Sequence, residues 1–547
     1  MRQWMVAAKK ADFYAIAEKF HVDPVVARII RNREVIGEKN IRIYLGGNLS
    51  DLSDPHQMKD MDRLVEILAQ KIRKQVRIRI IGDYDVDGVT SSHLFLTALR
   101  RVGAKVDVVI PHRIQDGYGL SLHLLQQAKE DGVDTILTCD NGIAAIDEIA
   151  WAKAQKMTVL VTDHHAVPFE EHEGRRTEKK SLADAVVNPH QQDCGYPYKE
   201  LCGAGVAWNV IRVLYENYDM DKREAEDLLD FVAMATVCDV MSLTGENRIL
   251  VKEGLKRIRH TKNIGLQALM QACNVQPENI SAYHFGYVLG PCVNATGRLD
   301  TARHALRLFE TGQETEAEEI ARDLVDLNQE RKELTLQGVE MAKKLCEEGG
   351  YENDPVLVLF LPDVHESIAG LIAGRIREMY NRPVFVLTRG EEGVKGSGRS
   401  TENYSMYENM CGCVELFTKF GGHPMAAGLS LPEENVEKFR RKINENCPLT
   451  VEEVCPDIHI DMAMPVGYAS TELVHQFALL EPFGKDNPSP LFADRNLSIS
   501  RMWLIGKNRN VLRMSVLSEY GQPVPVIFFG DVETLFAYFT EKFGQEE

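Results

Sequence analysis

Three aspartates stand at alternate positions in "IIGDYDVDG", where Asp83, Asp85 and Asp87 lie between an apolar run and the start of a helical pattern. Carboxylates at that density suit a hard divalent cation. Two other apolar runs end in the same way: "LTCDNG" delivers Asp140, and "LVTDHH" delivers Asp163, His164 and His165. A single aspartate after a strand is ordinarily a helix cap or turn residue, and a single buried histidine an ordinary hydrogen-bonded core residue. Recurrence at three run ends points instead to a shared cluster of carboxylates and imidazoles, the donor set of a divalent metal site. A calcium EF-hand is excluded. With Asp83 at its first position the twelfth would need a bidentate glutamate and is Leu94, and the loop follows a strand where an EF-hand has a helix.

The elements that must position these groups are legible as alternation. Short β-rich runs, VRIRII (76–81), KVDVVI (105–110), DTILTC (134–139) and MTVLVT (157–162), are separated by helical patterns that end near glycine. This predicts a parallel sheet with crossover helices, whose strand carboxyl ends share one edge where ligands bind. Residues 200–310 read as mostly helical, and a proline-free, mixed-charge stretch beyond them reads as one long helix linking two lobes. A second α/β pattern follows, with PVLVLF (355–360) and RPVFVLT (382–388). The remainder carries three strand candidates, "NLSISRMWLIG", "VLRMSVLS" and "VPVIFFG", and reads as a small β-barrel. The expected organisation is an N-terminal helical segment (1–45), a first α/β lobe (46–315), the linking helix (316–349), a second α/β lobe (350–448) and the barrel (449–547).

Composition narrows the class. A chain of 547 residues exceeds one hydrophobic core, and 44% hydrophobic with 26% charged residues is ordinary globular protein. A formal net charge of −18 argues against coating nucleic acid through global charge, while leaving room for a local basic groove. The eleven cysteines include no C-x-x-C pair, so unpaired thiols are expected. No apolar run reaches bilayer length and the start lacks signal-peptide regions, so no membrane association and cytoplasmic residence are expected.

The motifs "DYDVDG", "CDNG" and "DHH", in this order, resemble the DHH phosphoesterase superfamily. "LCGAGVAW", "ATVCDVMSLTGENRILVKEGL" and "GPCVNATGRLD" resemble its following motifs, and "GSGRS" with "FGGHPMAAGL" its associated domain. "LEPFGKDNPSPLF" resembles the junction into the oligonucleotide-binding barrel (OB-fold) of RecJ-type single-stranded-DNA exonucleases. The resemblance implies two Mn²⁺ or Mg²⁺ ions held by Asp83, Asp85, Asp87, Asp140, His164 and Asp239, with Asp140, His164 and His165 at the reacting phosphate. Two ions would serve the attacking and leaving oxygens on opposite sides of phosphorus. It also implies a terminal 5′-phosphate held by Arg113, Arg298, Ser397 and Arg399, and close backbone approach to the nucleotide at Gly421, Gly422 and His423. Trp503, interleaved with Arg501, Lys507, Arg509 and Arg513, would stack a base or else fill the barrel core.

The implied activity is 5′ to 3′ hydrolysis of single-stranded DNA to mononucleotides in repair and recombination. Single-strand-binding protein and a helicase are the implied protein partners, and a monomer is expected. Two other readings stand beside it: a phosphodiesterase of oligonucleotides or cyclic dinucleotides, and an inert DNA-binding scaffold, which would be expected to have lost ligands. Four departures from the resembled pattern bear on this. Cys292 stands where arginine is usual, removing one expected phosphate or DNA contact. Cys238 and Met241 flank Asp239 in place of a small residue and proline. Residues 364–376 lack the usual Trp before His365 and Gly two residues after it, and the charged loop at 168–181 is longer than expected and lies where it would gate access.

Overall fold

The computed structural model describes residues 4–112, 116, 119–172, 175–299, 301–351, 353–390 and 393–544. The chain divides into two compact units, one of Gly46–Pro456 with Pro482–Asn487, the other of Arg2–Leu45, Asp457–Glu481 and Pro488–Glu547.

The first unit opens on a five-stranded parallel sheet of β1 (Arg77–Ile81), β2 (Lys105–Val109), β3 (Thr135–Cys139), β4 (Thr158–Thr162) and β5 (Ala185–Val187), in the order β2-β1-β3-β4-β5. Its inner strands are buried on both faces, which is why they read as nearly unbroken apolar runs. The chain passes from β1 outward to β2 and returns across β1 to β3. The β1 and β3 ends therefore flank the topological switch point, where an open α/β sheet leaves a crevice.

Helix α1 (Val86–Arg101) starts at once after β1, with Asp85 as its N-cap accepting from the Gly88 amide at 3.0 Å. Gly88 is required by closeness: a Cβ there would lie 2.5 Å from the Asp83 backbone nitrogen and oxygen. Against the sheet packs α2 (Gly203–Asn217), and α3 (Leu229–Cys238) packs on α1 and α2; α4 (Ile264–Ala272) and α5 (Gly290–Leu299) follow, the last entered through a π-helical turn, Phe285–Leu289. Helix α6 (Glu314–Glu348) runs 35 residues into the second lobe. There β6 (Leu357–Phe360), α7 (Glu366–Tyr380), β7 (Val384–Arg389), β8 (Val394–Arg399), β9 (Lys419–His423) and β10 (Ala426–Leu431) build a mixed sheet in the order β9-β10-β8-β7-β6. The charged stretch at 168–181 is an antiparallel hairpin, Phe169–His172 with Arg175–Glu178.

In the second unit β11 (Ser498–Ile505), β12 (Val511–Leu517) and β13 (Pro523–Phe529) form an antiparallel sheet. Its N-terminal part is stitched to residues that follow far later. Trp4–Val6 pairs in parallel with Ile458–Ile460, and the Arg33 guanidinium donates to both carboxylate oxygens of Asp461 at 2.7 and 3.0 Å. Both partners are buried, so the pair is bidentate in a dry setting where loss of either partner strands a charge. The fold class is thus α/β, two lobes joined by a long helix, with a C-terminal antiparallel β unit. Among the described residues no helix is long and apolar enough to cross a membrane.

One buried acid in the first lobe makes stability depend on pH. Asp230, at the start of α3, accepts from the Phe231 amide at 2.8 Å and from Thr261 Oγ1 at 2.7 Å, and burial pushes its pKa up to about 6. The folded protein then binds this proton more tightly than the unfolded chain. The stability it confers is complete below the usual value of 3.8 and is lost as pH rises through about 6. Asp230→Asn, whose Oδ1 still accepts from the Phe231 amide while Nδ2 donates to Thr261 Oγ1, is expected to raise stability at pH 7 by about 3 kcal/mol and to change little at pH 4, read by urea denaturation at the two pH values.

Candidate metal centre

The β1, β3 and β4 ends and the end of α3 deliver their polar side chains to one place. Asp83, Asp85 and Asp140 offer oxygens within 4.8 Å of one another, as do the ligand atoms of Asp87, His164 and Asp239 and those of Asp140, His164 and His165. Asp140 and His164 are each shared between two of these groups. His164 Nε2 lies 3.1 Å from Asp140 Oδ1, 3.6 Å from Asp239 Oδ2 and 3.7 Å from Asp87 Oδ2, yet it is buried and makes no hydrogen bond. Burial holds its pKa down, so the imidazole is neutral and its lone pair available.

The carboxylates are held where their charges repel. Burial and the neighbouring charges of Asp87 and Asp85 push Asp140 and Asp239 well above the usual carboxylate range, and burial with the Asp87 charge raises Asp85. Packed anions around a neutral imidazole are what a divalent cation neutralises, so these residues fit Mn²⁺ or Mg²⁺. The backbone is strained at the same place. Asp140 has φ 61° and Val240, directly after Asp239, φ 55°, both in the left-handed region that non-glycine residues rarely occupy. Asn141 pins the turn by donating from Nδ2 to the carbonyls of Ile81 and Cys139 at 3.0 and 2.8 Å.

Two supports hold the cluster, the first inside a motif whose role was not legible in the sequence, the second the orienting role expected of Asp163. The first amides of α2, from Gly203 and Ala204, donate to Asp87 Oδ2 and Oδ1 at 2.6 and 2.7 Å, a helix N-terminus holding an anion. Gly203 must be glycine, because a Cβ would sit 2.6 Å from the Asp140 Cβ. Asp163 spends its lone pairs locally, accepting at Oδ2 from Ile143 and at Oδ1 from the amides of His164 and His165 and from His165 Nδ1 at 2.8 Å. It orients an imidazole and is not free to take a metal. Burial opposes charge on His165, but the Asp163 bond and the surrounding carboxylates outweigh it and raise its pKa to about 9. With its side chain 43% exposed, His165 is a cation facing the cleft.

The second lobe meets this edge. A cavity of about 470 Å³ is lined by Tyr84 of the aspartate loop and by Ser367, Lys395, Ser397, Lys419 and Gly421. Arg298 on α5 donates to the Ser367 carbonyl at 2.6 Å, and Arg399 Nη1 donates to the Gly398 carbonyl at 2.7 Å and to Ser397 Oγ at 3.3 Å. Gly421 faces open space, while Gly422, at φ 151°, has no room for a Cβ, which would lie 2.5 Å from the Ala426 carbonyl oxygen. His423 is exposed, and after burial the nearby charges of Arg399 and Lys485 hold its pKa down. Lys485 bears on Asp239 as well, a cation between the two lobes that sequence reasoning had left inside a junction motif. Arg113 lies outside the described residues.

Gly370 on α7 is a further position that motif reading passed over. A Cβ there would come within 2.8 Å of both Arg399 Nη2 and Ser397 Oγ. Given the 5′-phosphate site that the family resemblance implies for Ser397 and Arg399, Gly370→Val is expected to fold but to swing the guanidinium aside, raising KM for 5′-phosphorylated strands about 10-fold or more, with a smaller effect on strands lacking the phosphate.

One expectation is corrected. Cys292 does not occupy a groove position: it is buried, its thiol facing Cys273 and Asn328 in the interior between α4, α5 and α6. Of the two readings of Trp503, base stacking or barrel core, the core one does not hold. Trp503 is 42% exposed on β11, opposite Arg513 of β12, whose guanidinium lies 5.9 Å from the ring centroid. Cys238 merely packs beside Asp239, its thiol donating to the Phe285 carbonyl at 3.3 Å.

Comparison with known proteins places this geometry. Residues 77–236 match the DHH family, N-terminal domain, residues 353–447 the DHHA1 domain and residues 460–543 the RecJ OB domain. Single-stranded-DNA-specific exonuclease RecJ of Haemophilus influenzae is 34% identical over 518 residues, spanning 91% of this chain and 88% of that protein. The chain belongs to the RecJ family. RecJ of Bacillus subtilis is 33% identical over 512 residues, and the alignment covers 93% of this chain but 63% of the relative's length. Among solved structures, RecJ of Thermus thermophilus in complex with Mn²⁺ matches with a TM-score of 0.79 at 27% identity, covering 96% of this chain and 76% of that one. A manganese-bound exonuclease RecJ matches with a TM-score of 0.60 at 32% identity, over 71% of this chain and 94% of that one.

Proposed function

We propose that this chain is a metal-dependent exonuclease that degrades single-stranded DNA from the 5′ end to mononucleotides, in DNA repair and recombination. One observation carries the reading: an unpartnered His164 Nε2 among the buried carboxylates of Asp87 and Asp140 and the half-buried carboxylate of Asp239, at the switch point of a parallel sheet. Asp83, Asp85, Asp87, Asp140, His164 and Asp239 would hold two ions, Mn²⁺ or Mg²⁺. When bound, the ions supply an activated water and charge neutralisation at the phosphate and leaving oxygen.

The chain's own residues do the rest. Asp163 holds the His165 imidazolium toward the cleft, where it offsets phosphate charge and has a proton to give to the departing oxygen. Arg298, Ser397 and Arg399, with Arg113, take the terminal 5′-phosphate, which fixes the register of the next bond and so the polarity of cutting. Gly421, Gly422 and His423 let the backbone approach the terminal nucleotide. In the second unit, the exposed face of β11 and β12 carries Arg501, Trp503 and Arg513, a cationic and aromatic face suited to unpaired bases. Single-strand-binding protein and a helicase are the partners that would present such strands, with the chain acting as a monomer.

Digestion of 5′- and 3′-labelled single and double strands with Mn²⁺ tests this. Release of labelled mononucleotide first from 5′-labelled single strands is expected; untouched single strands, or cutting indifferent to the end, would overturn it. Trp503→Ala is expected to raise KM for long strands about 10-fold, one stacked base's worth, while leaving kcat and the KM of trinucleotides unchanged.

A further inference from the structure

Cys292, a departure from the resembled pattern, has a partner that spacing gave no reason to expect. Cys273 closes the C-terminus of α4, and its Sγ lies 3.7 Å from Cys292 Sγ on α5. Cys273 is half-buried and open to a small reagent, whereas Cys292 is buried and accepts from Asn328 Nδ2 at 3.4 Å. Asn328 Oδ1 in turn accepts from the Arg331 guanidinium at 2.8 Å.

We propose that Cys273 and Cys292 are an oxidisable pair that closes to a disulfide with a low-molecular-weight disulfide as oxidant, slowing the enzyme by pulling on α5. In the first step the Cys273 thiolate attacks the oxidant, forming a mixed disulfide and releasing one small thiol. In the second, Cys292 gives up its proton and attacks Cys273 Sγ, releasing the other. Two electrons and two protons pass from the cysteines to the oxidant, which leaves as two thiols. The division of roles follows from the setting. The contact between the two thiols, aided by the Lys332 charge, lowers the Cys273 pKa, while that contact and burial push Cys292 up, so the accessible thiol is the better nucleophile.

Closing the bond draws the sulfurs from 3.7 Å to about 2.05 Å. Helix α5 transmits that movement to the cleft. Asn294, two residues on, accepts from the Val86 amide at 3.1 Å, and Gly297 abuts the Tyr84 carbonyl so closely that a Cβ would lie 2.4 Å from it. Both contacts are with the turn from β1 into α1 that carries Asp83, Asp85 and Asp87.

The test uses the full chain treated with glutathione disulfide, alkylated and mapped by mass spectrometry, with the rate on single-stranded DNA measured in parallel. A linked pair of peptides holding Cys273 and Cys292, about 2 Da lighter than the reduced pair together, is expected, with a rate at least about 5-fold lower, and dithiothreitol should reverse both. Cys411, exposed, should stop at the mixed disulfide and serves as internal control. Cys273→Ser and Cys292→Ala should each keep the untreated rate and lose the response. Absence of the linked peptides, or a linked protein that cuts at the untreated rate, overturns the proposal; the rate of the reduced protein tests the nuclease reading separately.

Discussion

Asp140→Ala is expected to lower kcat on 5′-phosphorylated single strands by at least about 10³-fold, the scale expected when a group acting only as part of a two-ion centre is removed. Asp140 belongs both to the group of Asp83 and Asp85 and to that of His164 and His165, so its loss damages both sides of the centre at once. The fold should survive. Asp140 is raised well above its ordinary pKa by burial and by four neighbouring carboxylates, so removing it relieves repulsion that the metal-free protein bears. The variant without added metal is expected to melt no lower than the parent, while the gain in melting temperature that Mn²⁺ gives the parent should largely vanish. Melting curves with and without Mn²⁺, beside single-turnover rates, distinguish this from simple unfolding.

The second large effect falls on a residue that need not touch metal. His165→Ala is expected to cost about 10²- to 10³-fold in kcat, within the range of a proton-transferring side chain. Its Nδ1 is held by Asp163 at 2.8 Å and lies 3.9 Å from Asp140 Oδ1, so its orientation is set by a carboxylate rather than by a metal. Mn²⁺ binding by calorimetry should therefore change far less than in Asp140→Ala. Asp163→Asn keeps the size of the acceptor and removes its charge; it should lower kcat about 10-fold or more by releasing the imidazole. A His165→Ala protein that binds no Mn²⁺ would contradict this division of labour.

Much of the first lobe was legible because its signals are local. The runs ending at Ile81, Cys139 and Thr162 are apolar and β-branched since both faces of a parallel sheet are covered, and their polar termini stand out against that background. Asp239 was a different case. It caps the end of α3, where no strand-end signal marks it, and only resemblance picked it out. Contacts across long separations stayed hidden for a physical reason: periodicity reports which face is buried, not what buries it. The Gly203 amide reaches Asp87 across 116 residues, and Arg33 reaches Asp461 across 428, so residues 2–45 looked like a segment of their own. Cys292 misled because a substitution read as a lost surface contact sits in the interior between three helices.

The proposed hydrolysis requires that this cluster bind two ions in this chain. Anomalous diffraction at the manganese edge from crystals soaked in Mn²⁺ tests that most directly. Two peaks are expected among Asp83, Asp85, Asp87, Asp140, His164 and Asp239, with Asp140 next to both and Asp163 next to neither. No peak there, or manganese only on other surface carboxylates, would contradict it.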